Sequence, residues 1–231
     1  MNIQELKKVS EENLDFIKSS YLSEGLFIPM IIAHVVKVGK KERISIMLSD
    51  KDIKNRFDVL ANWGIELGVR TFLKNEYDLV DGMFLLNEAW MSKYDKGQYE
   101  EKEKNGGLLM PSEDPNHLEV LISAGSSGQD TVVTMKIIRK IWDNGKIKVE
   151  LEDLKDVDSK EKDGGEEGIE VKSNLLDEFW RTFNFIKKYK EEVDKDENLK
   201  EIIKKKSSED LVRLYSEVFH VVRDLEILTN N

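Results

Sequence analysis

The chain has 231 residues, enough to bury a hydrophobic core without disulfide or metal staples. Its 46 acidic against 36 basic residues give a net charge of −10, which disfavours broad attraction to nucleic acid or an anionic membrane. It has no cysteine, which excludes disulfides, thiolate zinc sites and cysteine nucleophiles. No apolar run approaches the roughly 18 residues of a membrane span, and Met1-Asn2-Ile3-Gln4-Glu5-Leu6 lacks the basic-then-apolar pattern of a signal peptide. A soluble cytoplasmic protein is expected.

In chain order, residues 3–21 read as a helix, with Ile3, Leu6, Leu14, Ile17 and Tyr21 on one face. Phe27–Val36 is a continuous apolar run rich in β-branched residues, the pattern of a strand buried on both faces. Pro29 is tolerable near its start, where a ladder donor is not needed. Val38-Gly39-Lys40-Lys41 signals a turn into a returning strand, Arg43–Leu48. Ser49-Asp50 can cap the next helix, in which Ile53, Phe57, Leu60, Gly64 and Leu67 recur at helical spacing. Gly64 and Gly68 are costly in a helix, and their expected purpose is close approach of the helix to the sheet. A membrane GxxxG reading has no support in so charged a segment.

Leu79–Trp90 predicts a third strand and residues 93–108, rich in Lys, Glu and Gly, a mobile loop. Leu118–Ala124 is a fourth strand, turned by Gly125-Ser126-Ser127-Gly128 into a fifth, Thr131–Trp142. Asp143-Asn144-Gly145 is the strongest hairpin signal of the chain, and Lys146–Leu151 follows it as a sixth strand. These elements make an α+β domain over residues 1–152, with a mostly antiparallel sheet and helices on one side. An acidic, glycine-containing linker is expected over 153–172. A helical tail over 173–231 carries one stripe of Leu176, Phe179, Phe183 and Ile186. A second comprises Leu211, Leu214, Val218, Val222, Leu225 and Leu228. The tail can fold back on itself or on the sheet, or mediate association. The ββαβββ order resembles profilin-like, roadblock and longin domains, folds that host binding platforms and scaffolds without fixing a function.

The densest group of polar residues that could face a pocket lies between the third and fourth strands. Glu88 ends one and Glu119 begins the other, with Asp114 and His117 between them. If the strands pair antiparallel, two carboxylates and a histidine near one sheet edge could bind a divalent metal or share acid/base work. The plainer alternative, favoured by strand alternation, is that the acids are solvent-facing, that Pro111 and Pro115 shape the turn and that Trp90 anchors it. His34 interrupts an apolar strand and reads first as a satisfied core or edge residue. Gly125-Ser126-Ser127-Gly128 joins strand to strand, so it is a turn rather than a nucleophile elbow. Glu170-Val171-Lys172 matches a fragment of a nuclease motif, but in a chain with 35% charged residues that is expected by chance. Lys204-Lys205-Lys206 could touch phosphate or an acidic partner, or be a solvated helix end. No Walker A, Rossmann or His-Glu-x-x-His motif occurs, so the sequence names no cofactor-binding residue and leaves any cofactor unknown.

Glu88-Ala89-Trp90, followed by Pro111-Ser112, Pro115 and Glu119, resembles a pattern in small prokaryotic and phage proteins of unknown function, over roughly residues 27–125. The resemblance implies no activity and adds no catalytic residue. The leading expectation is a non-enzymatic binding or assembly protein, with self-association or a protein partner engaged through the C-terminal helices. The alternative is a metal-dependent hydrolase or small-ligand enzyme around Glu88, Asp114, His117 and Glu119.

Overall fold

The computed structural model describes residues 1–24, 28–91, 104, 117–143, 146–153 and 174–229. The first half of the chain forms α1 (Ile3–Glu24), β1 (Met30–Lys37), β2 (Lys40–Met47), α2 (Asp50–Lys54), α3 (Arg56–Gly68) and a π-helical turn (Val69–Leu73). Then come β3 (Leu79–Met91), β4 (Leu118–Ser126), β5 (Thr131–Asp143) and β6 (Lys146–Asp153). The C-terminal helices are α4 (Asn174–Val193), α5 (Glu197–Lys205) and α6 (Ser208–Thr229). The chain is α+β as expected, with one sheet in the order β2-β1-β3-β4-β5-β6 and every neighbouring pair antiparallel. Among the described residues, one non-sequential pairing joins β1 to β3: the chain leaves β2, passes through α2 and α3, and re-enters beside β1.

The local chemistry explains the joints. Val38 and Gly39 both take positive φ, +50° and +69°, the backbone that a two-residue hairpin loop needs to match strand twist. Ser49 caps α2: its hydroxyl accepts from the Asp52 backbone N–H, and the Asp52 carboxylate accepts from the Ser49 N–H at 2.9 Å. That pairing lowers the Asp52 pKa, the hydrogen bonds from Ser49 favouring the carboxylate. The β4–β5 turn places Gly128 at φ +81° under the ring of Trp180. The Asn144-Gly145 turn, the 93–108 loop and the acidic 154–173 stretch lie outside the described residues.

Helices cover both faces of the sheet, where one covered face was expected. Leu6, Leu14 and Ile17 of α1 are almost completely buried against Ile32, Phe84, Leu86 and Leu121. On the other face Ile31, Ala33, Val35, Val80 and Met83 meet Leu60, Trp63 and Leu67 of α3 and Phe179, Trp180 and Phe183 of α4. The unbroken apolar run of β1 is the sequence signature of this arrangement: residues 30–35 are all buried, because each face needs its own apolar set. α1 is also tied polar-to-polar, Ser10 Oγ donating to Ser123 Oγ at 2.7 Å in the interior.

α4 belongs to the central core, since its aromatic face shares one cluster with the sheet. Gly64 and Gly68 do bring a backbone close, but to α4 rather than to the sheet. A methyl on Gly64 would overlap Thr182 Oγ1 and the Phe179 carbonyl, and one on Gly68 would lie 2.9 Å from Ile186 Cβ. The far side of this helix pair builds another core from Ala61, Ile65, Val69, Leu73 and Ile186. Leu211, Tyr215 and Phe219 of α6 close it. The layers therefore run α1, sheet, α3 with α4, then α5 with α6. Among the described residues, no helix is long and apolar enough to cross a membrane.

Candidate functional site

The sheet brings Glu88 and Glu119 to the same face. Trp90 sits opposite Glu119 in the β3–β4 register, and Glu88 is two residues from Trp90. The two carboxylate-bearing positions are diagonal neighbours, roughly 7–8 Å apart in ordinary sheet geometry. Their surroundings are those of a wet strand end. The Glu119 carboxylate pairs with Lys140 Nζ of β5 at 2.5 Å, and both side chains are about two-fifths exposed. The His117 ring packs on Trp90, with centroids 5.1 Å apart. Glu88 is exposed, and Asp114 lies outside the described residues. Among the described residues, no group of three or more His, Asp or Glu side chains could hold a metal ion.

His34 is buried on the α1 face of β1, its ring edge-on to Phe84 at 5.2 Å. Burial, and then the Arg43 guanidinium opposite it on β2, lower its pKa to about 4. It is neutral near pH 7, and its Nε2 has no hydrogen-bond partner among the described residues. Nearby, a β-bulge in the β1–β3 register puts Asp81 within 2.7 Å of the Met1 amino group and 3.2 Å of Lys41 Nζ. Burial opposes the charge of Asp81, but those two cations prevail and lower its pKa. This is a structural charge cluster around a core histidine.

Two further features come from the C-terminal helices. One is a cleft of about 440 Å³ where the π-helical turn, the end of α4 and α5 meet. Its floor is Leu73, Val193 and Ile203, and four lysines, Lys74, Lys190, Lys200 and Lys204, stand around it with a single acid, Asp194. Lys74 Nζ donates to the carbonyls of Ile203 (3.2 Å) and Lys206, at the C-terminal end of α5. Beside the cleft, Arg70 bridges Glu66 and Glu76 at 3.1 and 2.7 Å. Glu76 also accepts from Ser208 Oγ at 2.5 Å, the first residue of α6. The hydrogen bond from Ser208 and the pairing with Arg70 together lower the Glu76 pKa against its partial burial.

The other feature is the outer face of α6. Of the stripe read from the sequence, only Leu211 is seen to face inward. It does so with Tyr215 and Phe219, which the stripe left out, all three at 4% exposure or less, while Leu214, Val218 and Val222 stay outside with Val221 at 37–60% exposure. The inward set is pinned at the far end by Arg223, which meets Asp58 of α3 at 2.9 Å. Of the cleft lysines, only Lys204 stands out in the sequence, through its lysine triplet. Lys74 follows the π-helical turn while Lys190 and Lys200 belong to α4 and α5, and no spacing signals their meeting. Compared with protein-family models, with curated proteins and with solved structures, the chain matches none of them.

Proposed function

We propose that this is a non-catalytic assembly protein that pairs with a second copy of itself through the outer face of α6. The observation that carries the reading is the spacing of the exposed apolar residues. Leu214, Val218 and Val221 follow one another at intervals of four and three, and the sequence continues the same rhythm to Leu225 and Leu228. That alternation is the seam of a two-helix coiled contact, in which each side chain enters a hole on the facing helix. A single buried face would account for Leu211, Tyr215 and Phe219, but not for a second apolar row turned outward. A seam of this kind is self-complementary, which suits a two-fold homodimer. The body beneath it holds α6 in place, by apolar contacts and the Arg223–Asp58 pair to α3 and by apolar contacts and the Arg70–Glu209 pair to the π-helical turn.

Val221 is the midpoint of the 214–228 row, so it meets its own copy whether the helices pair in register or antiparallel about a central axis. The chain has no other cysteine, so Val221→Cys offers one reporter thiol. Mild oxidation is expected to give a disulfide-linked dimer, whereas Glu11→Cys on the exposed side of α1 is expected to stay monomeric on the same gel. Equal cross-linking of both variants would contradict the reading.

A further inference from the structure

We infer that the cleft between the π-helical turn, α4 and α5 binds a small phosphorylated molecule with an apolar or ring-shaped body. Its volume of about 440 Å³ lies within the range of small-ligand sites. In a chain of net charge −10, four lysines against one acid make it a locally positive concavity. The lysines do different work. Lys74 is spent on the α5 C-terminal carbonyls, where it offsets the negative end of that helix. Lys190 and Lys200 hold exposed carboxylates, Asp194 and Glu197, on short flexible pairings. Glu197 is 86% exposed and lies outside the cleft lining, so an anion in the cleft could take over Lys200 at little cost. Lys204 has no ion-pair partner among the described residues.

The apolar lining adds a second requirement. Leu73, Val193 and Ile203 also line the cleft and, each at most 9% exposed, give it a small apolar base beside the lysines. An inorganic anion would leave that base unused, while a phosphate ester with a ring or hydrocarbon body would cover it. Lysine serves phosphate as a mobile point charge without the planar fork of arginine, so several lysines around one pocket suit a group carrying two or more negative charges.

The test is isothermal titration calorimetry of the full chain with three probes: ATP without metal, inorganic pyrophosphate and citrate. The inference predicts that ATP binds with a Kd below about 1 mM, with pyrophosphate and citrate each at least about fivefold weaker. Lys200→Gln/Lys204→Gln is expected to weaken ATP by about tenfold or more, with the circular dichroism spectrum unchanged because both side chains lie at the surface. No heat with ATP at about 5 mM, or unchanged affinity in the folded double variant, would overturn the site. Citrate binding as tightly as ATP would overturn the phosphate assignment and leave only diffuse charge attraction.

Discussion

Gly64 of α3 packs directly against Thr182 of α4, and the missing side chain of one makes room for the hydroxyl of the other. Thr182 is fully buried, and its Oγ1 donates back to the Phe179 carbonyl at 2.9 Å, so it has nowhere to retreat. Gly64→Ala should therefore destabilise the protein by about 2 kcal/mol, the overpacking cost exceeding the gain of about 1 kcal/mol in helix propensity. Gly68→Ala would meet Ile186 Cβ at 2.9 Å and the Phe183 carbonyl at 3.3 Å, closer than ordinary contact but less severe than at Gly64, and should cost about half as much. Urea denaturation of the two variants checks both the sign and the order.

At the β1–β2 hairpin the strain lies on Val38, a β-branched residue held at φ +50° and 85% exposed. Asparagine tolerates that backbone far better and precedes glycine in the favoured turn of this type. Val38→Asn should stabilise the fold by about 0.5–1 kcal/mol. Because the side chain touches little, a thermal melt should report the gain without any change in the native spectrum.

His34 sets an acid limb on the stability. The unfolded chain takes up a proton near pH 6.5 and the folded chain only near pH 4, because burial and then Arg43 oppose the charge, with Lys41 adding to them and Asp81 and Glu12 working the other way. Between those values the unfolded state binds more protons. The His34 contribution is therefore complete above about pH 6.5, falls as pH drops, and is gone below about pH 4. The loss should be of order 3 kcal/mol. Denaturation midpoints across that range should slope in the wild type, and His34→Leu should flatten the slope. An unchanged slope in the variant would place the acid sensitivity elsewhere.

Glu76 joins Arg70 to Ser208 and so fixes the start of α6 to the loop before β3. Ser208→Ala should cost about 1 kcal/mol, and Glu76→Gln somewhat more because it also leaves Arg70 with a weaker partner. If the network positions α6, amide hydrogen exchange should quicken at residues 208–215 and hardly at all in α1.

Much of this architecture can be read from the residues, and the failures have physical causes. All six strands were legible because β-branched runs and turn residues such as Val38-Gly39 and Ser127-Gly128 mark their ends locally. The second covered face was not drawn from the sequence, although β1 carried its signature; α1 reads as an ordinary amphipathic helix whichever surface it meets. The stripe on α6 could not be divided from spacing alone, because Leu211 and Leu214 are separated only by what lies beneath them. The Glu88–Glu119 juxtaposition followed correctly from antiparallel pairing, but Lys140 arrives from a third strand and neutralises one member. The lysine cleft depends on the π-helical turn near residue 70 meeting the consecutive helices α4 and α5 more than a hundred residues later, which no local pattern encodes.

Self-association through α6 is tested most directly by light scattering on the size-exclusion peak. Removing residues from 173 onward would not serve, because it would strip α4 from the core. The informative pair is the wild type and Val218→Glu/Val221→Glu, which puts two charges into the seam while leaving Leu211, Tyr215 and Phe219 buried. The wild type should elute at twice the chain mass of 26.8 kDa and the variant at that mass, with matching circular dichroism spectra. A wild type that stays at the single-chain mass at every concentration up to about 100 μM would contradict the account.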